Sequence, residues 1–446
     1  VRMDQVRVKI MNERVLQAYI NGLPIGTLHE ANGLWGFQYS RAWLENPNRY
    51  ALSPQLPFTP NLVMDGATQR PVQWYFDNLL PEEGQRSLLA ADAEIDRADA
   101  FGLLAYYGAE SAGSLTLVPP DAPAQLPEPL RPLPDEALQA RIRQLPRAPL
   151  THSAVKRMSL AGAQHKLAVV LQDDRLFEPA GATPSTHILK PDHPDEDYPH
   201  SVVNEWFVMR LAHQLKLSVP PVYRRYVPLP VYLIERFDRV LTPQGWARTH
   251  VIDACQLLGV DRSFKYSQGS MQSLAALANA CRSPAVVRTQ LFNWLVFNVL
   301  VGNADAHLKN LSFRVSDDGV QLAPFYDLLS TAVYETPAFE RSGWPEQTQL
   351  AWPILGLQRF SEINKAVLIE AGAVLGLAKS TAERLLTRLR SQIGQQAHLL
   401  YEHIQAENQG LLVHRPELAA TLAGELRCLR AILHLIIQEM ARRYGE

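Results

Sequence analysis

Cysteine is scarce in this chain. Cys255, Cys281 and Cys428 are scattered over 446 positions with no Cys-x-x-Cys pair, a pattern that argues against a zinc site and fits a reducing compartment. An excess of charge of either sign is also missing. Against 45 Asp and Glu stand 43 Lys and Arg, a net charge of −2, so no chain-wide field draws nucleic acid or an anionic membrane, and only local patches could do so. Long apolar runs are absent. The most apolar stretch, Leu291 to Val301, carries Asn293 and Asn298 and is far short of the about 20 residues that span a bilayer. Val1 to Met11 is charged and alternates like a strand, so no signal peptide is read there and a cytoplasmic protein is expected. The Gly-x-Ser-x-Gly elbow of a Ser-His-Asp hydrolase is not found, and neither is an internal repeat.

What remains is an ordinary globular balance, 47% hydrophobic and 20% charged residues, in a chain long enough for two or three cores. Residues 1–118 read as a small α+β unit. Leu16, Ala18 and Ile20 alternate, Asn21-Gly22 is a hairpin turn, and Ile25 to Leu28 returns. Asp77 to Ala100 reads mainly helical, and Leu115 to Val118 closes a sheet. Seven prolines between Pro119 and Pro134 disfavour helix and sheet, so residues 119–150 are expected to form an extended linker. Residues 151–240 are rich in short strands, and residues 241–446 read as helices apart from one hairpin. The expected fold class is therefore α+β: a small β-rich lobe and a large all-helical lobe, laid out as in protein kinases, behind a small N-terminal domain.

The segment GNADAHLKN, Gly302 to Asn310, concentrates the chemistry. It follows an apolar helical pattern from Val286 to Val301 that stops at Gly302, and it precedes a hairpin, Leu311 to Val315 and Val320 to Ala323. Asp305 stands five residues before Asn310, and Asp327 follows the hairpin in PFYDLLS. Phosphoryl transfer needs such a set: a carboxylate to accept the proton of an attacking hydroxyl, with an amide oxygen and a second carboxylate to hold magnesium on the phosphates of ATP. His307 could fix the loop, a better fit than carrying a proton, and Lys309 could stabilise the transferring group or pair with Asp305. Asp305, His307 and Asp327 could also be metalloenzyme ligands, but no second His or Cys lies at suitable spacing.

Four further parts should accompany that loop. Ser159-Leu160-Ala161-Gly162-Ala163-Gln164 precedes a hairpin and is small enough for backbone N–H groups to approach phosphates, although it holds one glycine. Lys190 ends the strand THILK and could neutralise phosphates; Glu205 on the next helix could orient it. Ile234 to Asp238 ends the last strand before the helical lobe, where backbone groups could pair with adenine and Asp238 could reach ribose hydroxyls.

Taken together, SLAGAQHK, THILKP, NEWFVMRLA, IERFDR, DACQLLG, GNADAHLKN and PFYDLLS resemble the HipA family of serine/threonine-protein kinase toxins. LSPQLPF and WYFDNLLPE are similar to the extra N-terminal domain of its full-length members, so the resemblance covers nearly the whole chain. It implies that Asp305 is the catalytic base, that Asn310 and Asp327 bind magnesium, that Lys190 contacts ATP phosphates and that Leu160 to Lys166 covers them. Glu235 and Phe237 would bind adenine through backbone groups, with Asp238 near the ribose, and Gln256 lies in a recurring motif. Ser159 matches the family's autophosphorylated position. The implied partners are a helix-turn-helix antitoxin, operator DNA through that complex, and an aminoacyl-tRNA synthetase as substrate. One departure is LAWPILG, Leu350 to Gly356, where family members often carry a basic motif. A small-molecule phosphotransferase and a kinase-shaped co-repressor are the competing readings.

Overall fold

Two Asn-Gly pairs set the first sheet. Asn21-Gly22 (φ 48° and 80°) and Asn32-Gly33 (φ 53° and 74°) adopt left-handed backbone at both turn positions, the geometry that matches strand twist in a two-residue hairpin. They join Arg14–Ile20, Leu23–Ala31 and Leu34–Tyr39, which pair antiparallel with Leu16 opposite Leu28. Val63–Met64 and Leu115–Val118 complete a five-stranded sheet. The computed structural model describes residues 13–123, 126–154, 156–158 and 160–444. Val1 to Met11 and Ser159 therefore lie outside the described residues.

Asp77 to Ala100, read as mainly helical, holds one whole helix, Glu83–Asp92, between the end of Pro71–Asp77 and the start of Ala100–Tyr107. Pro81 cannot donate a helical hydrogen bond, and the break there makes the turn that enters the functional site.

The linker expectation fails over its second half. Arg131–Pro132 pairs with Arg175–Glu178, and Asp135–Ile142 is a helix. Pro132 lies on the outermost strand, while Pro134 caps the helix; neither position requires an N–H. Leu133, Leu138 and Leu150 are buried in the small lobe's own core with Leu167, Val169, Leu189 and Leu233. That lobe is a six-stranded sheet in the order Val222–Tyr226, Pro230–Glu235, His187–Pro191, Leu167–Gln172, Arg175–Glu178, Arg131–Pro132.

A second, larger core runs without interruption from the N-terminal domain through the helix Ser201–Gln214 into the C-terminal lobe. Its central helix is Pro284–Leu300, buried from Trp294 to Leu300. Lys379–His414 packs on it with Ala382, Leu385, Leu386, Leu389, Ile393, Ala397, Leu400 and Ile404 buried, a stripe at helical spacing. The lobe is not all-helical. Val251–Asp253 joins the expected hairpin, Ser312–Ser316 with Gly319–Leu322, in a three-stranded sheet, and Gln349–Ile354 pairs with Leu357–Arg359. A three-residue strand is too short to show a period, and Pro353 interrupts the other. The seam between the two cores opens as a cleft.

Candidate functional site

The cleft measures about 990 Å³, counting space open to solvent, and is lined by both lobes and by the N-terminal domain. Lys190, in His187–Pro191, donates to both carboxylate oxygens of Glu205, at 2.8 and 3.0 Å, and to Asp327 Oδ1 at 2.5 Å. Burial by itself would drive the ammonium to neutrality, but Asp327 and Glu205 outweigh it and hold Lys190 above its ordinary range. Burial likewise opposes the charge on Asp327, yet Lys190 and Lys166 hold its carboxyl below the usual carboxylate range. The Lys190–Glu205 pairing, open in the sequence, is formed here.

The catalytic-loop candidate hangs from the central helix. At Gly302, φ is 65° and a Cβ would lie 2.8 Å from Ala332 and Ile436 side-chain carbons, so a larger residue is excluded. Asn303 Oδ1 accepts the Asp305 N–H at 3.0 Å, and its Nδ2 donates to Asn298 at 2.8 Å. Thr331 Oγ1 accepts the Ala304 N–H at 2.6 Å. Asn310 Nδ2 donates to the Asp305 carbonyl at 2.8 Å, which leaves Asn310 Oδ1 as its free acceptor. Asp327 has left-handed backbone at φ 52°, a strained conformation typical of functional positions. Both residues line the cleft, whereas Asp305 stands beside it with its side chain 48% exposed.

A hydroxyl reaches Asp305 from an unexpected residue: Tyr266 Oη donates to Oδ1 at 2.5 Å. His307 is buried edge-to-face on the Tyr266 ring, with Nε2 4.0 Å from Asp305, and burial lowers its pKa. Lys309 does not pair with Asp305. Its Nζ bonds Asp253 Oδ2 at 2.5 Å and Asn78 Oδ1 at 2.7 Å, because a buried ammonium takes the fixed carboxylate and amide below the loop over a half-exposed carboxylate above it.

Among the described residues, no group of three or more His, Cys, Asp or Glu could hold a metal alone. A magnesium ion would fit Asp327, kept anionic, and the free Asn310 oxygen, with the remaining ligands supplied by phosphate and water.

At the hinge, the Glu235 N–H donates to the Pro221 carbonyl at 3.0 Å. Pro221 has no N–H to return across that pair, which leaves the Glu235 carbonyl available to a base. The Phe237 carbonyl is taken by Arg314 at 2.9 Å, so the contribution Phe237 can make is its N–H. Asp238 lines the cleft, but its carboxylate is held by Arg236 at 2.9 and 2.7 Å, by the Gly113 N–H at 2.7 Å and by Arg239 at 3.1 Å. The two guanidiniums counter burial and bring its carboxyl to about 2. The hydrogen bonds that the sequence assigned to a ribose go instead to the protein.

In the phosphate-loop candidate, Leu160, Ala161, Gly162 and Lys166 line the cleft, while Ala163 and Gln164 do not. Lys166 Nζ donates to the Ala161 carbonyl at 2.7 Å, and burial lowers its pKa to about 8. The Gly162 carbonyl accepts the Glu82 N–H at 3.3 Å. Glu82 and Asn78 belong to the N-terminal turn NLLPE. The Glu82 carboxylate is buried against Lys265 at 2.6 Å and lies 3.5 Å from Lys309. Sequence spacing could not give these contacts, since Asn78 and Lys309 are 231 positions apart. Gln256 was partly legible, because Asp253 and Gln256 form a capping box; its Nε2 also donates to the Tyr75 carbonyl at 2.8 Å, tying down the N-terminal domain.

Comparison with known proteins places the chain in a family. The HipA-like C-terminal domain matches residues 158–397 and the HipA N-terminal domain matches residues 16–118. Y4mE of Sinorhizobium fredii, which carries a kinase name, is 39% identical over 341 residues, 73% of this chain and 79% of that protein. The serine/threonine-protein kinase toxin HipA of Shewanella oneidensis is 32% identical over 345 residues, 72% of this chain and 76% of that one. The solved complex of Shewanella oneidensis HipA with HipB and operator DNA superposes with a TM-score of 0.76 at 28% identity, covering 96% of this chain and 97% of that chain. With both family domains in order and the kinase set gathered around one cleft, the chain is a member of the HipA kinase family.

Proposed function

We propose that this chain is an ATP- and magnesium-dependent serine/threonine protein kinase, the toxin of a toxin–antitoxin pair. The observation that carries this reading is the buried Lys190–Glu205–Asp327 cluster, set beside Asn310 and the loop that presents Asp305. Bound ATP with magnesium supplies the phosphoryl group and offsets the charge on its oxygens. Asp305 takes the proton of the attacking serine hydroxyl. Asn310 Oδ1 and Asp327 hold the cation, and Lys190, oriented by Glu205, steadies the phosphates under Leu160 to Lys166. The Glu235 carbonyl and Phe237 N–H meet the adenine edge.

The partner is a HipB-like helix-turn-helix antitoxin, and operator DNA is bound through that complex; the Shewanella oneidensis assembly supports this. The substrate is an aminoacyl-tRNA synthetase, a choice that rests on the family resemblance. Phosphate on Ser159 would add about two negative charges next to the phosphate loop, repel ATP and switch the enzyme off. Phosphoproteomics of cells expressing wild type against Asp305→Asn tests the reading. A synthetase phosphosite present only with wild type is expected. Toxicity retained by Asp305→Asn without transfer would favour a protein that acts by binding.

A further inference from the structure

Among Lys190, Glu205, Asp305, Asn310 and Asp327, Asp305 has the most exposed side chain. Its backbone is fixed on both sides, by Asn303 at its N–H and by Asn310 at its carbonyl, but the carboxylate is half exposed and His307 lies at 4.0 Å. Tyr266 is its side-chain hydrogen-bond partner, at 2.5 Å on Oδ1. A carboxylate held at one oxygen presents the other in a fixed direction, and a general base is effective only when it is oriented by a further group.

Tyr266 is itself placed from the N-terminal domain. Its neighbour Lys265 donates to Glu82 Oε2 at 2.6 Å and to Glu83 Oε1 at 3.1 Å. The Lys265 carbonyl accepts the Leu308 N–H at 3.1 Å, which pins the segment to the catalytic loop. Lys265 Nζ also lies 5.1 Å from the centre of the Tyr266 ring, which stands nearly perpendicular to the His307 ring with centroids 5.0 Å apart. Glu82 is 3% exposed, and its Oε1 has no hydrogen-bond partner although it lines the cleft. The charges this buried carboxylate faces are those of Lys265 at 2.6 Å and Lys309 at 3.5 Å, which hold it below the usual range against burial.

We propose that Tyr266 is a positioning residue for Asp305 and that Glu82 of the N-terminal domain sets Tyr266 through Lys265, so that this domain orients the catalytic base. The inference rests on the kinase reading above. Tyr266→Phe keeps the ring on His307 and Lys265 and removes only the hydroxyl. Glu82→Gln keeps the shape and the backbone N–H to Gly162 and removes the charge.

The test uses the full-length protein and measures the initial rate of ADP release with an added protein substrate, ATP and magnesium, before Ser159 is modified, alongside amide exchange of residues 303–310 without nucleotide. Tyr266→Phe is expected to lower kcat about tenfold with the KM for ATP unchanged, and to speed exchange of the loop. Glu82→Gln should do the same less strongly. The double variant should be no slower than Tyr266→Phe alone, because both act through one contact. Wild-type kcat and wild-type exchange in Tyr266→Phe would overturn the role of Tyr266. Multiplied losses in the double variant would overturn the link to Glu82. A wild-type protein that releases no ADP, or an Asp305→Asn variant as active as wild type, would count against the kinase reading instead.

Discussion

Lys166 shows how one residue links burial to ligand binding. Burial disfavours its charge, so its proton leaves near pH 8, below the ordinary lysine range. Below about pH 8 the side chain is an ammonium at the cleft where the proposed ATP phosphates would lie, and above it the attraction fades. ATP affinity is therefore expected to fall as pH rises through 8 to 9 in the wild type, with proton uptake on binding. Calorimetry in buffers of different ionisation enthalpy measures both, and Lys166→Met should be weaker and flat over that range. At this scale the sequence was most legible where one short segment carries the chemistry. Asp305, Asn310 and Asp327 lie within 23 positions and could be found by spacing. Glu205 was named as the acid that could orient Lys190, and the structure forms that pair; Glu82 and Tyr266 were not named, because a turn acid and a half-exposed tyrosine look ordinary until a distant partner meets them.

At the scale of elements, turn chemistry and periodicity performed well, and composition alone did not. The Asn-Gly hairpin, the strands of the small lobe and the helix before Gly302 stand close to where the pattern put them. The proline-rich segment misled, because Pro132 and Pro134 occupy positions that need no N–H, and its leucines pack into a core the sequence could not show. The helix Asp135–Ile142 is therefore a structural part of the small lobe. Leu138, fully buried, tests this: Leu138→Ala should cost about 2–4 kcal/mol in urea unfolding, whereas a leucine in an extended linker would cost almost nothing. Trp352 gives the departing LAWPILG segment a place in the fold. Its Nε1 donates to the Ala306 carbonyl at 3.0 Å, so the hairpin braces the catalytic loop through an aromatic residue.

At the scale of the whole molecule, the N-terminal domain is fused to the kinase by buried charge. Glu110, fully buried, meets Lys156 at 2.8 Å, Arg239 at 2.8 Å, Arg248 at 2.5 Å and Arg236 at 3.4 Å. Burial opposes its charge, but the four cations outweigh it and hold its carboxyl well below the usual range. Its contribution is thus present above the ordinary glutamate pKa and is lost as pH falls below it. Glu110→Ala strands those cations and should cost about 3–5 kcal/mol, with unfolding of the N-terminal domain separating from that of the rest in calorimetry. Asp238 and Gly113 belong to the same network, so the segment Ile234 to Asp238, the proposed hinge, would loosen with it.

The central claim, that Asp305 is the base of a phosphoryl transfer, is tested most directly by mass spectrometry of the purified full-length protein after incubation with ATP and magnesium, wild type beside Asp305→Asn. Phosphate is expected on the wild-type protein or an added synthetase, with a loss of about a thousandfold or more in the variant. Equal incorporation by the two proteins would contradict it.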